Sequence, residues 1–176
     1  WFAFFDIGLT QGLRNRFAVA KAEGNHELAQ IYVSTTYAIL ALVFLFVWIA
    51  FILVNNYLDW AKILNVGEAL RPDVTTLAII VFTYFCLTFV FKIITTILTA
   101  DQYPARASLI DLIGQAISMI IIIVLVKTTE GSLIKLGFAL SLSTLSVLIG
   151  ANVILFIGKY NRYRPRVSKV NFSYTK

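Results

Sequence analysis

The sequence predicts an all-α protein, a polytopic bundle of helices that cross a membrane. Three observations carry that expectation. Apolar residues make up 59% of the chain and charged residues only 14%, where soluble domains carry about 25% charged residues. Mean hydropathy is correspondingly high, at +0.83. The apolar residues also gather into four runs near the length of about 20 residues that a helix needs to cross a bilayer. Short segments holding most of the charge separate them. The whole chain, residues 1–176, reads as a single transmembrane domain.

Trp1 to Leu9 reads as the end of a membrane helix, since this apolar piece is too short to span alone. No basic run precedes it, which argues against a signal peptide. Residues 10–34 form a polar segment with Arg14, Arg16 and Lys21. Leu9, Leu13, Phe17 and Ala20 share one helical face there, as in a helix lying along or leaving the membrane surface. Gly24 and Asn25 break it, and Asn25 suits the cap of the next helix, with Glu27 near that helix's positive end.

The first complete span is expected over about 37–54. The loop of residues 55–73 follows, with Tyr57 and Trp60 suited to an interfacial belt. Pro72 marks the start of the second span, about 74–98. A turn with Pro104 and Arg106 leads to the third span, about 109–126. A short hairpin with Gly131 leads to the fourth, about 136–157. In that last span Gly137 and Ser141, then Ser146 and Gly150, stand four apart, a pattern for close helix contact. Asn152 is polar within the same span and suits a helix–helix hydrogen bond. Gly158 ends the helix, and a basic, tyrosine-bearing tail of residues 158–176 follows.

Charge orients the bundle. Four spans place residues 10–34, the turn at Arg106 and the tail on one side. That side carries ten Lys and Arg residues, and the other carries four: Lys62, Arg71, Lys127 and Lys135. The positive-inside rule then puts the first loop and the tail in the cytoplasm. It also accounts for the net charge of +6, so no nucleic-acid partner is expected. The lone cysteine, Cys86, forms no internal disulfide and reads as a small apolar packing residue. The lone histidine, His26, excludes a multi-His metal centre. No cofactor, metal or catalytic residue is expected.

Two polar stripes stand out. Tyr84, Thr88, Lys92, Thr95 and Thr99 fall at helical spacing on the second span, and Ser108, Asp111, Gln115 and Ser118 on the third. A charge inside a span costs about 2.5–3.5 kcal/mol on insertion scales and usually faces protein or a wet cavity. Lys92, Thr88, Thr95, Asp111, Gln115 and Ser118 are therefore candidate walls of a polar cleft. Lys92 would be its cation, and Asp111 a counter-ion or a site for a coupling ion. Arg14 and Arg16 are candidates for attracting an anionic headgroup at the cytoplasmic mouth. A plainer reading stays open for each. Lys92 can snorkel to the interface, Asp111 can complement a helix dipole, the hydroxyls can serve packing, and the arginines can anchor topology.

Several stretches carry a resemblance. They include Asp6-Ile7-Gly8-Leu9-Thr10-Gln11-Gly12-Leu13-Arg14-Asn15-Arg16, Ala18 to Gly24, and Tyr32-Val33-Ser34-Thr35-Thr36-Tyr37-Ala38. Ala100-Asp101-Gln102-Tyr103-Pro104-Ala105, Ser108 to Asp111, Gly114-Gln115, Leu136 to Ser143 and the ending Gly158-Lys159-Tyr160 with Arg162 to Pro165 belong with them. The chain resembles the bacterial polysaccharide-biosynthesis membrane proteins of the Wzx-type flippase family, in the superfamily that includes the MATE exporters. The resemblance implies a two-lobed transporter of about twelve helices, of which this chain is most of the first lobe. The opening helix and second lobe would then lie elsewhere in the same polypeptide. It further implies movement of undecaprenyl-pyrophosphate-linked oligosaccharide across the bacterial inner membrane. Membrane lipids, the second lobe and a coupling ion (H+ or Na+) would be its partners.

Two other classes compete. A cation-coupled MATE-type exporter of small molecules would favour an acid deep in the first lobe, whereas the charge embedded in a span here is basic. A membrane-embedded glycan enzyme would need catalytic carboxylates or a large soluble loop. The loop of residues 55–73 has no His and no Gly-rich phosphate cradle.

Overall fold

A computed structural model describes residues 8–128 and 131–175 of the chain. The expected helix end at residues 1–7 lies outside the described residues. The described residues are helical with no strand, and four helices are long and apolar enough to cross a membrane. The protein is an all-α, multi-pass membrane bundle.

Helix α1 spans Leu9–Ala22. Leu13, Phe17 and Ala20 are buried along one face, as their spacing predicts. The face does not rest on lipid, however: it packs on α2 (His26–Asn55) and on α5 (Ile93–Ala100). Gly24 takes a φ of +74°, in the left-handed region that glycine tolerates, and turns the chain into α2. The Asn25 side chain caps α2 by accepting the Leu28 N–H at 3.1 Å. At 30 residues, α2 is about 45 Å long, longer than the hydrocarbon core of about 30 Å. Its first turns therefore stand in the charged end of the bundle.

A short helix α3 (Trp60–Ile63) is capped by Asp59, and Trp60 donates from Nε1 to Asn55 at 2.8 Å. Helix α4 (Arg71–Phe91) starts with Pro72 in its first turn, where the missing N–H costs nothing. Aromatic rings join α4 to α2. Phe82 stacks on Phe51 with centroids 3.8 Å apart, and Phe89 stacks on Phe44 at 4.6 Å. Trp48 Nε1 donates to Thr83 at 2.9 Å within the same seam.

The second span is not one helix. It breaks at Lys92 and resumes as α5, whose Ile93, Ile94, Ile97 and Leu98 are fully buried. Helix α6 (Pro104–Thr128) follows a turn at Asp101–Tyr103, and α7 (Leu133–Ile157) is capped by Ser132. Helix α6 lies against α5 and α7, and α7 against α4. Gly114 brings α6 within contact of the Thr144 backbone, the close approach that small residues permit.

The tail is docked. Tyr160 and Tyr163 are buried. Tyr163 packs edge-on to Phe17 at 5.1 Å, and its hydroxyl lies 2.7 Å from His26 Nδ1. Gln30 donates to the Arg164 carbonyl at 2.9 Å, and the N–H groups of Arg166 and Asn171 reach the hydroxyls of Ser34 and Thr35. The segment expected to anchor topology thus closes the charged end of the bundle as packed structure.

Candidate functional site

The site grows from three elements that meet at this end. Helix α1 brings Thr10, Gln11 and Arg14. Helix α5 brings Thr95, Thr96 and Thr99, and the start of α6 brings Ala107, Ser108 and Asp111. Together they line an open groove of about 270 Å³ with mainly polar walls. Helical spacing explains each contribution. Thr95 and Thr99 are four residues apart, and so are Ala107 and Asp111, so each pair shares a face.

The chemistry of the walls is uneven. Thr95 donates its hydroxyl to the Lys92 carbonyl at 2.7 Å, and Thr99 donates to the Thr95 carbonyl at 2.8 Å. Having given up their protons, these hydroxyls can only accept from a ligand. The side chains of Gln11, Thr96 and Ser108 make no hydrogen bond among the described residues and can both donate and accept. Arg14 and Asp111 line the same groove without forming an ion pair with each other, and neither pairs with another charge among the described residues. The groove has one cationic side, one anionic side and hydroxyls between them.

The residues anticipated from the two stripes separate. Thr95, Asp111 and Arg14 enter the groove. Arg16 instead faces α2, with its guanidinium over the Tyr32 ring at 5.8 Å. Lys92 sits exposed at the break between α4 and α5, outside the groove lining, and makes no ion pair with Asp111. The break ends the regular stripe, so Thr88 stays with α4, where its hydroxyl oxygen is buried without a hydrogen bond. Ser118 is buried one turn beyond Gly114, on the face that meets α7, and Gln115 is exposed beyond the groove. Thr10, Gln11 and Thr96 are lining residues that the stripes left out. Their placement follows from α1 packing on α5, which no local pattern shows.

A cluster beside the groove also escaped the sequence reading. The Asp101 carboxylate, 7% exposed, receives Lys21 of α1, Lys159 Nζ at 2.8 Å and the Tyr160 hydroxyl at 2.7 Å. The Lys159 ammonium also lies 3.4 Å from the centre of the Tyr103 ring, a cation–π contact. Burial, and the like charge of Lys159, hold the Lys21 ammonium below the ordinary lysine value. Two lysines share one carboxylate. Burial pushes the Tyr160 phenol up to about 12. The sequence did hold a signal: Asp101 is the acid in the turn of the strongly basic side.

Fold and groove define a multi-pass membrane protein with a polar recess at its most basic end. Comparison with protein-family models, with curated proteins and with solved structures finds no match.

Proposed function

We propose that the chain is part of a membrane transporter that moves an undecaprenyl-pyrophosphate-linked oligosaccharide across the bacterial inner membrane, with the first loop and the tail cytoplasmic. The observation that supports this reading most is the groove, where Arg14 stands without an acidic partner among the described residues, beside a wall of hydroxyls. A guanidinium matches phosphate oxygens, and hydroxyls and a carboxylate match the donors of a sugar ring. The volume, about 270 Å³, lies just below the usual range of ligand sites, roughly 300–1,000 Å³. It suits a headgroup or one ring, with the rest of the glycan outside.

Complementation tests the proposal. The full-length gene is placed in a bacterial strain lacking its own flippase, and surface polysaccharide is measured. Restoration is expected, with loss on Arg14→Ala and on Asp111→Asn at unchanged protein level. Lys92→Ala, outside the groove lining, is expected to cost less. Full export by Arg14→Ala would remove the groove from the pathway. A second reading, a cation-coupled exporter of small molecules, draws on Asp111, an acid in the same groove without a basic partner among the described residues. Export of cationic drugs by the complemented strain, without restored polysaccharide, would favour it.

A further inference from the structure

We propose that the second span is a two-part helix hinged at Lys92, and that Asn152 of α7 is the catch that holds it bent. Interruptions of a helix normally trace to Pro, to Gly or to a group inserted into the hydrogen-bond ladder. Residues 74–103 contain neither Pro nor Gly, so insertion is the cause to look for. The structure shows it. The Thr95 N–H donates to the Lys92 carbonyl at 3.0 Å, three residues back rather than four, and the Thr95 hydroxyl reaches the same oxygen. The Phe91 carbonyl, which a regular helix pairs with Thr95 N–H, accepts Asn152 Nδ2 at 2.8 Å instead. Asn152 is itself held from two sides. Its Nδ2 also reaches the Leu148 carbonyl at 2.8 Å, and Tyr37 of α2 donates to its Oδ1 at 2.6 Å.

The joint separates two sets of direct partners of the span. Helix α4 lies on α2 and α7, whereas α5 lies on α1 and α6. Helices α1, α5 and α6 are also the three walls of the groove. A change of angle at Lys92 therefore shifts the hydroxyl wall on α5 against the walls on α1 and α6, which are also seated on α2 and α7. The Phe91 carbonyl has a hydrogen-bond partner at either angle. In the bent state Phe91 O takes Asn152. In a straight state it would take Thr95 N–H, and Asn152 would keep Leu148 O and Tyr37. Two hydrogen-bonded arrangements of one element are what a switch requires. Lys92 is exposed at the joint and held by no ion pair among the described residues, so its side chain does not oppose the change. The inference stands whatever the groove binds.

The test uses the full-length protein in lipid nanodiscs, its native cysteines replaced, with spin-label pairs read by pulsed dipolar spectroscopy. Val81 and Ala105 are exposed on either side of the joint; Thr76 and Leu87 are exposed within α4 and serve as the control pair. Helix–helix hydrogen bonds in membranes have modest strengths, so losing one shifts the straight-to-bent ratio roughly three- to fifteenfold. Asn152→Leu is expected to create or enlarge a second Val81–Ala105 population while the control pair keeps one distance. Tyr37→Phe, which leaves the Asn152 amide in place, is expected to do the same more weakly. Should Asn152→Leu fail to insert, Tyr37→Phe decides alone. A Val81–Ala105 distribution unchanged in both variants would overturn the proposal. A control pair that broadens in step would also overturn it, since α4 would then be fraying rather than pivoting.

Discussion

Asp101→Asn is the most informative single change in the charged end. The substitution keeps the shape of the side chain and removes one negative charge from between two ammonium groups. The carboxylate is 7% exposed, and the lysines that share it are 33% and 35% exposed. Breaking a fully buried ion pair costs about 3–5 kcal/mol. Solvent reaches these lysines and screens them, so about 2–3 kcal/mol is the expected loss. A domain of this size shifts by about 2–4 °C per kcal/mol, which gives a fall in Tm of roughly 4–12 °C. Asp59→Asn is the matched control. Asp59 pairs with Arg71 at 3.2 Å and Lys62 at 3.7 Å, is 30% exposed, and caps α3. Asn caps as well as Asp, so only surface charge is lost, worth at most about 1 kcal/mol. Thermal stability of both variants in detergent, read by size-exclusion chromatography after heating, decides the matter. Equal shifts for the two would refute the view that the Asp101 cluster holds the end of the bundle together.

Gly114→Val should destabilise by about 1–3 kcal/mol through overpacking, because a Cβ there would lie 3.3 Å from the Thr144 backbone. Gly137→Ala should cost less in the same thermal assay, since the atom in its way is the rotatable end of Leu77. Tyr160 should ionise with a midpoint near 12, against about 10 for an ordinary tyrosine. Its raised value means that its contribution to stability is complete below about pH 10 and is lost as the pH climbs through about 12. The difference in absorbance at 295 nm between the wild type and Tyr160→Phe measures this, and a midpoint at 10 would contradict the burial. A cysteine at the exposed Ser168, in a Cys86→Ala background, should be protected from impermeant maleimide applied outside intact cells. Labelling from outside would reverse the proposed orientation.

The spans were legible because a membrane helix announces itself through length and apolarity, both local properties. The break at Lys92 was not, since its cause, the Asn152 amide, comes from another helix about sixty residues along the chain. The apolar face of α1 was visible in Leu13, Phe17 and Ala20, but periodicity gives a face and not what the face meets. Lipid and protein look the same to it, and here the partners are α2 and α5. The polar stripes show the same limit. Thr95 enters the groove while Thr88 does not, because a stripe marks one side of a regular helix and this span is interrupted at Lys92; on the unbroken α6, Asp111 meets the groove and Ser118, two turns on, is buried. Tail docking left little trace, since several of its bonds run through main-chain groups of Arg164, Arg166 and Asn171.

The ion cluster and the groove are mechanically one object. Helix α1 carries Arg14 in the groove and Lys21 in the cluster, seven residues and about 10 Å apart along the axis. The turn holding Asp101 joins α5 to α6, the other two walls. Lys21–Asp101 therefore ties the cationic wall to the hydroxyl and acidic walls, and Lys159 with Tyr160 locks the tail across the same carboxylate. Asp101 contributes no atom to the groove lining, yet through Lys21 it ties the helix that carries Arg14 to the turn that leads into the helix carrying Asp111. Loss of its charge should weaken whatever the groove binds even under conditions where the bundle stays folded. Arg16, on the same helix but turned toward Tyr32, should not report that loosening. Accessibility of cysteines at positions 14 and 16, compared with and without Asp101→Asn, separates the two: a change at 14 alone is expected. Equal changes at both would mean that α1 has simply come away from the bundle.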